Sequence, residues 1–286
     1  MAVINSNVLG SGHTALVTGA SRGIGPLIAR EVAKQGAHVV LTGRSASELE
    51  TVAARLAAAG LSISTVPADL TQLDAARILV ETIEQQRGGI DLLVNNAGGD
   101  PQREFQSMTV DENLRIVQLN LLAPIALSHA VLSGMLDRGR GHIVNVSAIA
   151  GRIAFPHTEA YAAAKDGLIG FTRVLRSDYR GRGVSASVVI LGAVRGAGQG
   201  QRTMDEMGLR TPPFMVSAEA VAKAVVRAVR RDRAELVLLP GPGRLLKAVM
   251  DMFPGFGPAI NRASGSTKTM DNVMRVREAK RNAEVK

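Results

Sequence analysis

Seven short β-rich runs punctuate the chain, and most are apolar at successive positions instead of alternating ones. They are "TALVTG" (14–19), "HVVLTG" (38–43), "SISTVPA" (62–68), "IDLLVNN" (90–96), "HIVNVS" (142–147), "VSASVVIL" (184–191) and "AELVLLP" (234–240). A continuous apolar run of this length suits a strand buried on both faces, as in parallel sheets covered by helices. Between the runs lie Ala-rich stretches of helical character at 24–35, 46–59, 72–87, 110–137, 158–180 and 217–231. Strand–helix alternation predicts an α/β fold: a doubly wound parallel sheet of about seven strands, with right-handed crossovers and helices on both faces. No internal repeat or low-complexity linker interrupts it. Pro and Gly in "LPGPGR" (239–244) end the pattern. Residues 1–240 therefore read as the main domain and 241–286 as a helical extension with a basic tail.

Composition narrows the classes. A length of 286 residues suits one large α/β domain with an appendage, and 46% hydrophobic against 21% charged residues supplies a core. No uninterrupted apolar run approaches the roughly 18 residues that span a bilayer. The opening "MAVINSNVLGSGH" lacks the basic and apolar regions of a secretory signal. With no cysteine there are no disulfides, thiolate metal sites or cysteine nucleophile, and a cytoplasmic protein without a metal is expected. The net charge of +9 is concentrated in "RAVRRDR" (227–233) and in the tail from Arg262. Two Tyr, six Phe and no Trp offer no stacking platform for bases. The excess reads as a solvated basic face suited to an anionic cofactor or substrate, with no nucleic-acid partner.

The first strand runs directly into "TGASRGIGP" (18–26). Gly19, Gly23 and Gly25 permit a tight strand-to-helix turn and let backbone N–H groups approach a phosphate. The helix that follows adds its unpaired donors and the positive end of its dipole. Pro26, in the first helical turn, sacrifices a donor that would be unpaired anyway. Ser21, Arg22 and Ile24 lie within the same loop and share the assignment to cofactor binding. The second strand ends in "LTGRS", where a carboxylate suits a free ribose hydroxyl and an arginine suits a 2′-phosphate. Arg44 therefore favours NADP(H) over NAD(H), with Arg22 as a second cation; the alternative is a surface arginine that happens to follow a strand.

Tyr161 and Lys165 stand four apart in "EAYAAAKDGLIGF", on one face of a predicted helix. An ammonium held near a phenol favours phenolate and lowers its pKa towards the working range of a general acid–base group. An ordinary helix-surface pair has the same spacing, so its neighbours decide its weight.

Those neighbours form an ordered set: "TGASRGIG" (18–25), Asp69 in "ADLT", "NNAG" (95–98), Asn120 in "VQLN", the strand "IVNVS" and "YAAAK" (161–165). Over residues 14 to 240 the chain resembles the short-chain dehydrogenase/reductases, whose fold is of the Rossmann type. The resemblance implies that Asn96, Ala97 and Gly98 line the cofactor, that Asp69 beside Leu70 meets the adenine, and that Gly192 and Val194 are further cofactor contacts. It also implies that Asn120 holds a water in a relay to Lys165, that Lys165 binds the nicotinamide ribose, and that Tyr161 transfers the proton. Asp69 as a plain turn residue and Asn120 as a backbone cap are the alternatives.

Three positions depart from the family pattern. Twelve residues before the Tyr, where the family's serine polarises the substrate oxygen, stands Ala148. Its neighbour Ser147 substitutes only if the strand has already ended or bulged, because successive strand residues face opposite ways. The family's Pro-Gly-x3-Thr reads "LGAVRG" (191–196), placing Leu191 for proline and Gly196 for threonine. All three changes fall at the nicotinamide and substrate end. His157, on the loop that a substrate meets, receives no role.

In the extension, Leu245, Leu246, Val249, Met250 and Phe253 form a stripe on a short helix stopped by Pro254. The stripe is expected to pack on its own domain or a partner subunit. A lid over an apolar substrate and membrane-surface contact aided by the basic tail are the alternatives. Together these features predict an NADP(H)-dependent oxidoreductase interconverting a carbonyl and a secondary alcohol on an apolar small molecule. A homodimer or homotetramer through 110–137 and 158–180 is expected from the resemblance. The rival readings are an NADP-binding protein without turnover and a dehydratase or isomerase on the same fold.

Overall fold

The computed structural model describes residues 8–284 apart from 73, 209, 211–214 and 264. In chain order its elements are β1 (Thr14–Thr18), α1 (Gly25–Ala33), β2 (His38–Thr42), α2 (Ala46–Ala58), β3 (Ile63–Thr65), α3 (Ala75–Arg87) and β4 (Leu92–Asn95). Then come α4 (Val110–Val117), α5 (Ala123–Asp137), β5 (Gly141–Ala148), α6 (Ala150–Ile153), α7 (Glu159–Tyr179) and β6 (Val184–Leu191). The chain continues through β7 (Val194–Arg195), α8 (Gly198–Glu206), β8 (Val216–Ser217), α9 (Ala218–Arg230) and β9 (Glu235–Leu238). It finishes with α10 (Gly243–Met252), α11 (Phe256–Ala263) and α12 (Ser266–Glu284).

Seven strands form one parallel sheet in the order β3-β2-β1-β4-β5-β6-β9, and β7 pairs with β8 outside it. The apolar runs divide their side chains between two cores, which is why they do not alternate. Ala15 and Val17 of β1 face a core shared with Ile28 of α1, Leu49 of α2 and Val225 of α9. Leu16, between them, faces Leu79 of α3, Leu127 of α5 and Leu175 of α7. Local chemistry marks the helix ends. Ser45 caps α2 through Glu48 N, Thr109 and Glu112 form a reciprocal capping box on α4, and Gly88 closes α3 in the left-handed region.

The predicted helix 110–137 is continuous but not uniform: a single π turn at Gln118–Leu122 joins α4 to α5. By length and composition this helix is apolar enough to cross a membrane, a property hidden from a search for uninterrupted apolar runs. Its buried side chains Leu127, Val131 and Met135 pack into the sheet core, while Val110 and Leu114 stay exposed. Strand order reverses between β1 and β4, and this topological switch opens a crevice beyond the carboxyl ends of the strands.

The extension differs from the single stripe read in the sequence. Leu246 and Met250 pack against Ile153, Ile169 and Ile190, whereas Leu245 and Phe253 are 65% and 60% exposed. Four-residue spacing brings Leu246 and Met250 inward together, Leu245 and the half-buried Val249 lie on the turns beside that line, and Phe253 falls beyond the end of α10 at Met252.

Candidate active site

The crevice is a cavity of about 1130 Å³. At one end, Gly19 and Gly23 adopt φ of 64° and 69° to turn the chain from β1 into α1. A Cβ on Gly19 would lie 2.8 Å from Ala97 Cα, and one on Gly25 only 2.1 Å from the Gly19 carbonyl oxygen. The loop is thus packed backbone against backbone, and Gly25 supports it from behind without lining the cavity itself. Asn96 braces it from β4: Nδ2 donates to the carbonyls of Thr18 at 3.0 Å and Gly19 at 3.3 Å. The Thr18 hydroxyl accepts from the backbone N–H groups of Asn96 and Ala97.

Around this cradle the cavity is walled by Ser21, Arg22, Gly23 and Ile24 of the loop and by Arg44 beyond β2. Glu48, which sequence reasoning passed over, lines it one turn into α2. Asp69 and Leu70 also reach the cavity. The Asp69 carboxylate accepts from Thr71 N at 3.1 Å and from the Thr71 hydroxyl at 2.8 Å, so the turn role is present in this residue. A glycine floor that admits no Cβ, a helix N-terminus without an acidic first turn, and two guanidinium side chains fit an anionic dinucleotide.

At the other end β5 and β6 stay in unbroken register from Gly141↔Val184 to Ala148↔Leu191. The strand neither ends nor bulges before Ala148, so the condition for Ser147 to replace the family's serine is not met. Ser147 is buried and donates its proton to the carbonyl of Lys165 at 2.7 Å. Ser147 lines the cavity, but its hydroxyl proton is held by this backbone acceptor.

Lys165, 4% exposed, donates from Nζ to the carbonyl of Val146 at 3.0 Å, and burial pushes its pKa down to about 8. Its ammonium lies over the Tyr161 ring, 5.6 Å from the centroid. The surroundings of Tyr161 run against the expectation of a phenol poised towards phenolate. Desolvation first, and then the negative charge of Asp100, push the Tyr161 pKa above its ordinary value. The helix spacing does bring the two side chains together, but the amine is turned to β5.

Asn120 sits in the π turn, fully buried. Its amide donates to the carbonyls of Gly99 at 2.8 Å and Ile116 at 2.9 Å and accepts from Gly99 N at 3.2 Å. A Cβ on Gly98 would lie 2.6 Å from Asn120 Oδ1 and 3.2 Å from Lys165 Nζ, so Gly98, Asn120 and Lys165 form one cluster. Asn120 supports the site from behind, while Ala97, Gly98, Gly192 and Val194 line the cavity directly. Gly196, at the threonine position, does not line the cavity; its N–H donates to Gln201 Oε1 at 3.0 Å.

Three other hydroxyls along this half are also committed to protein acceptors: Thr158 to Phe155 O, Thr203 to Gln102 Oε1 and Thr269 to Gly265 O. By contrast, the Tyr161 hydroxyl has no hydrogen-bond partner among the described residues. Sequence reasoning missed Asp100, Gln102, Thr269 and Met270, all of which line the cavity. Only Asp100 had a signal, since it follows "NNAGG" directly.

Burial raises the Asp100 pKa to about 6; Gln102 N, donating at 3.0 Å, opposes the shift, Glu159 adds to it, and Arg277 opposes it. An unfolded aspartate titrates near pH 4. The folded state therefore favours the proton, and stability that is whole below about pH 4 is lost as the pH rises through about 6. Asp100→Asn is uncharged throughout. Its Tm should match the parent near pH 4 and exceed it by several degrees above about pH 6. A difference constant across that window would contradict the buried-carboxylate account.

Comparison with known proteins agrees with this fold. The family model described as short chain dehydrogenase matches residues 13–207. The ketoacyl reductase HetN of Nostoc sp. is 36% identical over 236 residues, covering 81% of this chain and 80% of that protein. The 3-oxoacyl-[acyl-carrier-protein] reductase FabG of Haemophilus influenzae is 35% identical over 183 residues, 64% of this chain and 74% of its own. A solved metagenomic short-chain oxidoreductase in complex with NADP superposes with a TM-score of 0.68 at 31% identity, covering 80% of this chain and 96% of that one.

Proposed function

Because this chain belongs to the short-chain dehydrogenase/reductase family, an oxidoreductase family that uses nicotinamide cofactors, we propose that it is an NADP(H)-dependent reductase of an apolar carbonyl compound, with 3-oxoacyl groups the first class to test. The reading is carried by one observation: a Tyr161 hydroxyl without a hydrogen-bond partner among the described residues, beside a buried ammonium, in the cavity that begins at the glycine cradle. A dinucleotide held by the glycine loop, Arg22 and Arg44 would supply the hydride. Tyr161 gives its phenolic proton to the substrate oxygen, and a raised pKa keeps that proton in place until transfer. Lys165, with a pKa of about 8, is charged at neutral pH and stabilises the phenolate left behind. Gly98 and Asn120 hold the lysine's surroundings fixed. The apolar side chains of Ile153, Phe155, Met204 and Met215 line the same cavity, which supports an apolar substrate.

Arg44 and Arg22 support the phosphorylated cofactor, since a guanidinium matches a phosphate through paired hydrogen bonds. NADPH is expected to bind at least about tenfold more tightly than NADH, and Arg44→Ala should erase the preference. Fluorescence titration of both cofactors checks this, and equal affinities in the parent protein would remove NADP(H) from the reading.

A second reading, binding without turnover, is favoured by Ala148 and by the committed hydroxyl of Ser147. Absorbance assays of NADPH oxidation with 3-oxoacyl thioesters, ketones and aldehydes separate the two. Tight NADPH binding without oxidation across that panel would transfer the conclusion to the second reading.

A further inference from the structure

Four non-glycine residues among those described have positive φ: Gln102 (50°), Ala154 (47°), His157 (58°) and Asp232 (43°). Such conformations cost energy and persist where the surroundings hold them. Asp232 is held by Arg176 and Arg180 at the opposite end of β6. The other three lie on the two loops that border the cavity, and each is fastened by a side chain of the extension. Asn261 of α11 donates to the carbonyls of Ile153 at 2.7 Å and Ala154 at 3.1 Å. Asp271 of α12 pairs with His157 Nε2 at 3.0 Å. Arg277 of α12 donates to Gln102 Oε1 at 3.2 Å and to Pro101 O at 3.0 Å.

The same guanidinium also grips α8, donating to the Thr203 hydroxyl at 3.1 Å and to Glu206 at 2.8 Å. Close backbone packing accompanies these bonds. A Cβ on Gly257 of α11 would stand 2.7 Å from Ile153 Cα, so α11 lies directly on the loop after β5. Where α12 crosses the cavity, Thr269 and Met270 form part of its wall, and Met270 is 4% exposed. This segment lies beyond the residues that the family model matches.

We propose that α11 and α12 are a built-in wall of the substrate pocket, in which Met270 determines how bulky a substrate chain is accepted. In this arrangement Arg277 is a positioning residue that clamps the loop at 100–103 and α8 in their working conformations. Deletion of the extension would expose the apolar surface beneath it, so point substitutions are the cleaner probes. The inference rests on the carbonyl-reductase reading for its ligand class but not for its mechanics.

Selectivity is tested in the full chain with 3-oxoacyl thioesters of graded length and branching. Met270→Ala should shift kcat/KM towards longer or branched chains by roughly tenfold, the scale of one or two methylene groups in an apolar pocket. NADPH affinity should stay within about twofold of the parent. Arg277→Ala should raise KM for every member of the series and accelerate amide hydrogen exchange at 100–103 and 198–206, but not in β1 or β4. Arg277→Lys should recover only part of both effects, because the fork to Gln102, Thr203 and Glu206 is lost. An unchanged chain-length profile in Met270→Ala, with the parent active, would overturn the assignment of Met270. Unchanged exchange at 100–103 and 198–206 in Arg277→Ala would overturn the clamp, and this holds whether or not the parent reduces any substrate. An inactive parent with accelerated exchange in Arg277→Ala would reject the reductase reading and keep the clamp.

Discussion

Tyr161→Phe is expected to lower kcat by roughly 10²–10⁴-fold, the range for removal of a general acid, while NADPH still binds within about twofold of the parent affinity. The substitution deletes one oxygen and leaves the ring in place, so packing beneath the Lys165 ammonium, 5.6 Å from the ring centroid, is retained. Its effect should be unusually clean because no neighbouring hydroxyl can take over. Ser147, Thr158, Thr203 and Thr269 already donate to acceptors of the protein. Restoring a hydroxyl with Ala148→Ser in the same background should not rescue turnover, since a polarising donor is no source of the transferred proton. Steady-state kinetics on the best 3-oxoacyl substrate, with Tm measured for each variant, gives the result. Retention of more than about a tenth of parental kcat at unchanged Tm would show that another group supplies the proton.

The role of Tyr161 illustrates what sequence spacing can and cannot convey. Four-residue spacing on a helix is a geometric certainty once the helix forms, and it places Lys165 beside the ring. It carries no information on where a flexible four-carbon stem sends its amine, and here that amine bonds Val146 O. Likewise, the count back from Tyr161 selects Ala148, and only the structure shows that β5 runs unbroken to that residue and that the Ser147 hydroxyl donates to the Lys165 carbonyl. The glycine loop was legible because its requirement is local: the turn and the close approach need glycine wherever they occur. The buried strands were legible for a similar reason, since covering both faces of a sheet demands apolar residues at successive positions.

The far wall of the cavity belongs to a different kind of problem. Met270 and Arg277 reach it across more than a hundred residues of chain, and nothing in "KTMDNVMRVRE" distinguishes a cavity wall from an ordinary surface helix. The stripe on α10 was visible as a pattern, yet its division into an inward pair and outward members depends on where the helix meets β6 and α7. Long-range packing, unlike turn chemistry, leaves little trace in a single segment.

Where the requirement is local, a single methyl group should have a large effect. Gly25→Ala is expected to weaken NADPH binding by about 100-fold or more and to lower Tm, with an overpacking cost of order 3 kcal/mol. The added Cβ would stand 2.1 Å from the Gly19 carbonyl oxygen and 2.8 Å from Ala20 Cα, both backbone atoms without a rotamer to change. Gly19 cannot retreat, because its own missing Cβ already faces Ala97 Cα at 2.8 Å and Asn96 holds its carbonyl. Strain would therefore pass into the turn proposed to present N–H groups to the phosphates, so binding is expected to suffer together with folding. Gly170→Ala supplies the matched control. That glycine is exposed within α7 with nothing within 4 Å of an added Cβ, so alanine should raise stability by about 0.5–1 kcal/mol and leave binding unaltered. Isothermal titration with NADPH and thermal unfolding of both variants make the comparison. Parental affinity in Gly25→Ala would mean that the loop relaxes around the methyl group, and the backbone cradle would then not be what holds the phosphates.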